Sequence, residues 1–217
     1  MILIVTAMKS EMSIIFDNLI EKVRIASNGF EAYKGKLCGN EVMLVQSGVG
    51  KVQAANALSN MLARFDVSLI VNIGVAGATF PYRVGDFVVI EEARYHDFDL
   101  KIFGYELGQV PGQPVVYKPE KRFNKKLMSE CKLKKGVLFT GDKFLVEKLN
   151  IRNGYLVDME GAAYFHVANN YQKPIVSIKV VSDIIGKTKL DEYTEFAEDE
   201  ANNKIYEITK KVVSIYG

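Results

Sequence analysis

Apolar residues in this chain gather into short, dense runs separated by segments of helical period. Met1 to Val5, Val42 to Val45, Val67 to Ile73, Gly136 to Thr140, Tyr155 to Val157 and Ile175 to Val181 are brief, and several are rich in β-branched residues, which predicts buried strands. Between them Met12, Ile15 and Leu19 recur at helical spacing after Lys9-Ser10-Glu11, and an amphipathic helix is predicted from the turn at Ser47 to Lys51 through Arg64. Further helices are expected around Glu120 to Cys131, over Gly161 to Asn170, and from Asp191 onward, where Ile205, Ile208, Val212 and Ile215 form the buried stripe. Residues from about Val23 to Ser47 read as three strands with a turn signal at Gly39-Asn40. No repeat, low-complexity tract or linker interrupts the pattern, so residues 1–217 read as one α/β domain.

The rest of the chain is organised around Tyr155 to Asp183, a strand-helix-strand unit of βαβ length, which predicts neighbouring parallel strands. Each apolar run ends in an acid: Asp158-Met159-Glu160 after the first and Ser182-Asp183 after the second. Ligands of open α/β sheets bind at the carboxyl ends of the strands, and Gly161, Ala162 and Ala163 leave room there. Helix capping accounts equally well for either acid alone. Two such acids at one edge favour a site. Glu11, in a first helical turn after the first strand, falls at the same edge, although interaction with the helix dipole accounts for it taken singly.

Composition narrows the partners. With 28 basic and 26 acidic residues the net charge is +2, and the scattered lysines form no aromatic-interleaved stripe, so neither nucleic acid nor a membrane surface is indicated. Cys38 and Cys131 stand apart without metal-ligand spacing, which fits a reducing compartment. The opening MILIVTAMKSEM lacks the leading charge and length of a signal peptide, and no run reaches transmembrane length; a cytoplasmic location is expected.

Several other stretches reach toward the same edge. Ser47-Gly48-Val49-Gly50-Lys51 lacks the length and terminal hydroxyl of a phosphate loop and reads as a tight turn that lets backbone approach a ligand. Gly74-Val75-Ala76-Gly77-Ala78, expected just after a strand, permits a flat ligand or a compact turn equally. Gly141-Asp142-Lys143-Phe144-Leu145 brings an aromatic ring that serves either stacking or the core. His96, among carboxylates, has the surroundings of a base but reads better as a hydrogen-bonded structural histidine, and His166 reads as structural too. Residues 102–117 are punctuated by Gly and Pro yet carry Phe103, Tyr105, Leu107, Val110, Val115 and Val116; so apolar a loop should pack on a partner subunit, over a pocket, or both.

There is no Cys-His pair, no nucleophile elbow and no histidine pair for a metal, and no cofactor is expected. Three carboxylates, an aromatic ring and glycine turns suit a flat, hydroxylated ligand such as a nucleoside. Cleaving an N-glycosidic bond requires a proton for the departing base and an activated water, which paired carboxylates supply by analogy with inverting glycosidases. A third carboxylate can hold sugar hydroxyls.

In order along the chain, AMKSEM, SGVGKV, NIGVAG, EARYHD followed by FGYELGQVPG, TGDKF, VDMEGAA and VSD resemble the 5′-methylthioadenosine/S-adenosylhomocysteine nucleosidase family of the purine nucleoside phosphorylase superfamily. The resemblance implies a three-layer sandwich, a central, mostly parallel, mixed twisted sheet flanked by helices, and hydrolysis of the adenine–ribose bond with water as co-substrate. It implies that Asp183 delivers a proton to adenine N7 and is oriented by Ser182, that Glu11 positions and deprotonates the water, and that Glu160 binds ribose hydroxyls beside Met159. Phe144 would stack on adenine, the Leu145 backbone would read its edge, and Val75 and Ala76 would line the glycine segment. Met8, Val49 and Tyr193 would receive the 5′-alkylthio group, and Phe103, Tyr105 and Pro111 would reach in from the second subunit of a homodimer.

Two positions bear on reaction type. Val75 stands where superfamily phosphorylases usually offer phosphate a hydroxyl, and Ala7-Met8-Lys9 replaces their arginine-containing loop, which favours hydrolysis. Lys179 stands where the nucleosidases usually carry Arg, keeping the charge but losing the planar fork. The rivals are a nucleoside phosphorylase, a hydrolase for a bulkier 5′ group such as futalosine, and a nucleoside-binding protein. The last would not need a separated acid and base.

Overall fold

A computed structural model of the chain describes residues 1–186 and 200–217. Its elements are β1 (Ile2–Thr6), α1 (Lys9–Asp17), β2 (Ile20–Arg24), β3 (Glu31–Leu37), β4 (Asn40–Gln46), α2 (Lys51–Arg64), β5 (Leu69–Ala78), β6 (Phe87–Tyr95), α3 (Lys121–Glu130), β7 (Lys134–Thr140), β8 (Tyr155–Asp158), α4 (Gly161–Asn170), β9 (Ile175–Ile184) and α5 (Glu200–Tyr216). Short β-branched runs became strands because both their faces are covered: every residue of β1 is buried, as are nine of the ten in β9.

The nine strands form one sheet in the order β2-β3-β4-β1-β5-β8-β7-β6-β9. Strand β5 also pairs with β9, which closes β5, β8, β7, β6 and β9 on themselves as a barrel. Parallel pairing links β4, β1, β5 and β9, whereas β8 meets β5 antiparallel. Helices α2 and α4 pack on one face with Ala54, Leu58, Met61, Tyr164 and Phe165. On the other face α1, α3 and α5 bury Met12, Ile15, Leu127, Ile205 and Val212. Helix-sheet-helix layering is the three-layer α/β architecture expected.

Five local readings change. Strands β8 and β9 are not neighbours, since β8 lies between β5 and β7 while β9 lies between β5 and β6. Strand β5 does not stop at Ile73 but runs through the glycine segment to Ala78, because β9 and β8 pair with it there. Ser182 and Asp183 lie inside β9 rather than after it. The β3-β4 turn is centred on Cys38 and Gly39, both at positive φ of 51° and 80°, one residue earlier than the Gly39-Asn40 signal. Helix α1 ends at Asp17, although Leu19 beyond it is still buried. The helix expected from Asp191 is observed over Glu200–Tyr216, and its earlier part lies outside the described residues.

Candidate active site

A cleft of about 570 Å³, open at its mouth, lies where α1, β5, β9, the β8-α4 junction and the segment after β7 meet. It is lined by Met8, Glu11, Val49, Val75, Ala76, Phe144, Leu145, Met159, Glu160, Ser182 and Asp183, so eleven of the sixteen residues singled out in the sequence converge. Ala7, Gly77, Lys143, Val157 and Asp158 complete the lining; they fall in stretches the sequence pointed to but were not singled out as contacts. Tyr193 lies outside the described residues.

Glu11 reaches the cleft from the first turn of α1. Its Oε2 accepts from the Ala7 and Met8 amides at 3.0 and 2.9 Å, and Oε1 accepts from the Val75 amide at 2.9 Å. Glycine at 74 leaves room for this carboxylate, because a Cβ there would stand 2.6 Å from Glu11 Oε1 and displace it. Burial pushes the Glu11 carboxyl above the usual carboxylate range, against the opposing pull of Lys179 and of the three amides. The side chain therefore does more than answer a helix dipole: it ties α1 to β5.

Asp183 stands on the other side of β5. A Cβ on Gly77 would lie 3.1 Å from its Oδ2, and Gly74 and Gly77, three residues apart on one strand, face opposite ways. Consecutive side chains on a regular strand also face opposite ways, yet Ser182 and Asp183 both line the cleft. A bulge explains it. Ala76 pairs with Val181 but Gly77 pairs with Asp183, leaving Ser182 as the extra residue. Ser182 Oγ then donates to Asp183 Oδ1 at 2.7 Å, and burial raises the Asp183 carboxyl above its ordinary value.

Glu160 precedes α4 but makes no side-chain cap to it. That work falls to Asp158 and Thr140, which accept from the Gly161 and Ala162 amides at 2.9 and 2.8 Å. Glu160 instead points across the cleft, where Oε1 accepts from the Gly50 amide at 2.7 Å. Gly50 has φ of 97°, so the glycine turn supplies a backbone donor as its composition suggested, but to a carboxylate. Burial, and then neighbouring Asp158, push the Glu160 carboxyl up to about 8.

Lys179 does not line the cleft. It is buried behind it, paired through Nζ with Asp158 Oδ2 at 2.9 Å, both side chains 3% exposed. The turn before α2 is fastened to the Phe144 segment: Lys51 Nζ bonds Asp97 at 2.6 Å, and the Lys51 amide donates to Asp142 Oδ1 at 2.8 Å. Phe144 is 42% exposed at the rim, available to a flat ligand rather than committed to the core. His166 bonds Tyr95 Oη at 3.1 Å and stacks on Tyr117, a structural histidine as read. His96 also lies off the cleft, but its buried Nε2 has no partner among the described residues, so the expected side-chain bond is not found at that atom.

Phe103, Tyr105 and Pro111 do not line this chain's own cleft. They sit on the irregular segment after β6, where Ile102 and Phe103 are 87% and 73% exposed.

A layered α/β sheet with carboxylates on both sides of one strand defines the class, and residues 1–214 match the family model of the Phosphorylase superfamily. The chain is 36% identical to the 5′-methylthioadenosine/S-adenosylhomocysteine nucleosidase of Bacillus cytotoxicus, over 97% of this chain and 99% of that one. Its fold is similar to the Colwellia psychrerythraea nucleosidase in complex with adenine (TM-score 0.92, 32% identity, covering 99% of this chain and 94% of that one). It is similar also to the Neisseria meningitidis nucleosidase in complex with methylthio-immucillin-A (TM-score 0.90, 26% identity, 98% and 97% covered). The chain belongs to the 5′-methylthioadenosine/S-adenosylhomocysteine nucleosidase family, a family of N-glycosidic hydrolases.

Proposed function

We propose that the protein hydrolyses the N-glycosidic bond of 5′-methylthioadenosine and S-adenosylhomocysteine, and of 5′-deoxyadenosine, releasing adenine. Asp183, whose carboxyl burial raises above its ordinary value, protonates adenine N7 as the bond from N9 to C1′ breaks. Glu11 takes a proton from water as the water oxygen bonds C1′, and Glu160 accepts from the ribose hydroxyls beside Met159. Adenine lies against Phe144 with its edge toward the Leu145 backbone, over Val75 and Ala76, while the 5′ group lies against Met8 and Val49. Ser182 keeps Asp183 aimed, and Lys179 supplies positive charge behind Glu11 and Glu160.

One observation carries hydrolysis over phosphorolysis. The Ala7, Met8 and Val75 amides form a ready anion cradle at a helix start, and all three are occupied by the Glu11 carboxylate. A phosphate dianion would meet that carboxylate instead of free donors. The apolar surroundings of Met8 and Val49 favour a thioether over a carboxylated 5′ group. The exposed Phe103 segment fits a cytoplasmic homodimer in which Phe103, Tyr105 and Pro111 cover the partner's cleft.

The test is to incubate the protein with methylthioadenosine, with and without phosphate, and follow adenine and the sugar product. Equal adenine release and free methylthioribose are expected. Release that requires phosphate and yields a sugar 1-phosphate would make it a phosphorylase.

A further inference from the structure

Asp158 lines the cleft, yet the chemistry above gives it no task, although it is bonded as heavily as Glu11. Its Oδ1 accepts from Thr140 Oγ1 at 2.6 Å, and its Oδ2 accepts from the Gly161 amide at 2.9 Å and from Lys179 Nζ at 2.9 Å. It thereby joins β7, β9 and the first turn of α4 behind the cleft. Lys179 is the register partner of Gly74, the residue against which Glu11 rests, so its ammonium stands within electrostatic reach of Glu11 and, across the cleft, of Glu160. Yet among the described residues Asp158 is the one carboxylate at ion-pair distance from Lys179.

A buried ammonium beside several carboxylates will close on whichever is nearest and least engaged, because an unpaired charge in such a site is costly. Closing on Glu11 would draw an oxygen away from the water it is to activate, and closing on Glu160 would occupy the acceptor meant for ribose. We propose that Asp158 is a positioning residue of the reaction: it holds the Lys179 ammonium against β8, so that Glu11 and Glu160 feel its charge without forming an ion pair with it. This inference rests on the hydrolytic reading of the site. The competing account is purely architectural, with Asp158 serving only to cap α4 through Gly161 and Thr140.

A double-mutant cycle separates the two, using Asp158→Asn, Lys179→Met and the double variant, with kcat and KM for methylthioadenosine measured separately and free adenine affinity as a check on folding. Each single change should lower kcat by about 10²-fold, the scale of a misplaced catalytic group, with adenine affinity unchanged. The double variant should be no worse than the weaker single, because both remove one device. Losses that multiply, or an Asp158→Asn enzyme that melts earlier but turns over normally, would overturn the proposal. Should Asp158→Asn not fold, Lys179→Met decides by itself: a fall in kcat at near-native KM supports the proposal, and a raised KM at native kcat overturns it. A wild-type protein that releases no adenine retires the hydrolytic reading itself, and the proposal with it.

Discussion

The two carboxylates on either side of β5 are equally hidden, Glu11 3% and Asp183 6% exposed, and differ in how they are held. Glu11 accepts three backbone N–H bonds, from a helix start and from β5, whereas Asp183 accepts from the hydroxyl of the residue beside it. Burial raises both, but only at Glu11 do amides and a buried ammonium oppose it. One carboxyl is held fast by backbone donors that work against the effect of burial, the other by a single neighbouring hydroxyl. Two carboxylates in one cleft are thus distinguished by their surroundings, which is what the proposed division into base and acid needs.

The severest challenge to this contrast is Asp183→Asn, expected to lower kcat by about 10²-fold or more while the protein remains as thermally stable as wild type. Near-native turnover of methylthioadenosine would remove Asp183 from its role. Glu11→Gln should cost a similar factor in kcat and, unlike Asp183→Asn, also lower stability by about 1–3 kcal/mol, because an amide cannot accept from all three donors as well. Equal melting temperatures for the two variants would erase the distinction. Smaller effects come from the supporting glycines. Gly74→Ala drives a methyl to 2.6 Å from Glu11 Oε1 and should reduce kcat by tens of fold, on the order set by misplacing a reacting group, while Gly77→Ala, at 3.1 Å from Asp183 Oδ2, should cost only a few-fold.

The smallest effect concerns Glu160, held by one amide and raised to about 8. Between its unfolded value near 4.5 and about 8 the folded protein keeps a proton that the unfolded chain has released, so this group's contribution to stability falls as pH rises through that window and is level above it. Melting temperatures measured from pH 5 to 8.5 should decline more in wild type than in Glu160→Gln, by about a few degrees. Parallel curves would mean that Glu160 is already ionised in the unliganded site.

The acids were readable because each follows an apolar run too short for a helix, which marks a strand's end and places Glu11, Glu160 and Asp183 at one edge. The exposed apolar segment around Phe103 was readable for the opposite reason: it carries apolar side chains where loop composition leaves nothing to bury them. Closure of the barrel was not readable, since the β5-β8 contact joins Gly77 to Val157 across a span of chain that no local pattern encodes. Continuation of β5 through Gly74 and Gly77 was hidden by the glycines themselves, which look like a turn until β9 is laid beside them. Asp158 was passed over because its neighbour Glu160 carried the same chemistry in a better-looking place. The hydrogen bonds each makes and the ion pair of Asp158 with Lys179 tell them apart.

The surplus residue in β9 has a consequence for how such a site can change over time. A regular strand has room at that point for a hydroxyl or an acid facing the ligand, never for both in succession. Side chains nearby can be exchanged one at a time, but losing the one-residue offset would force a choice between the Asp183 carboxyl and the Ser182 hydroxyl that bonds it. This corner of the cleft therefore depends on a miscount between two strands as much as on the amino acids that stand there.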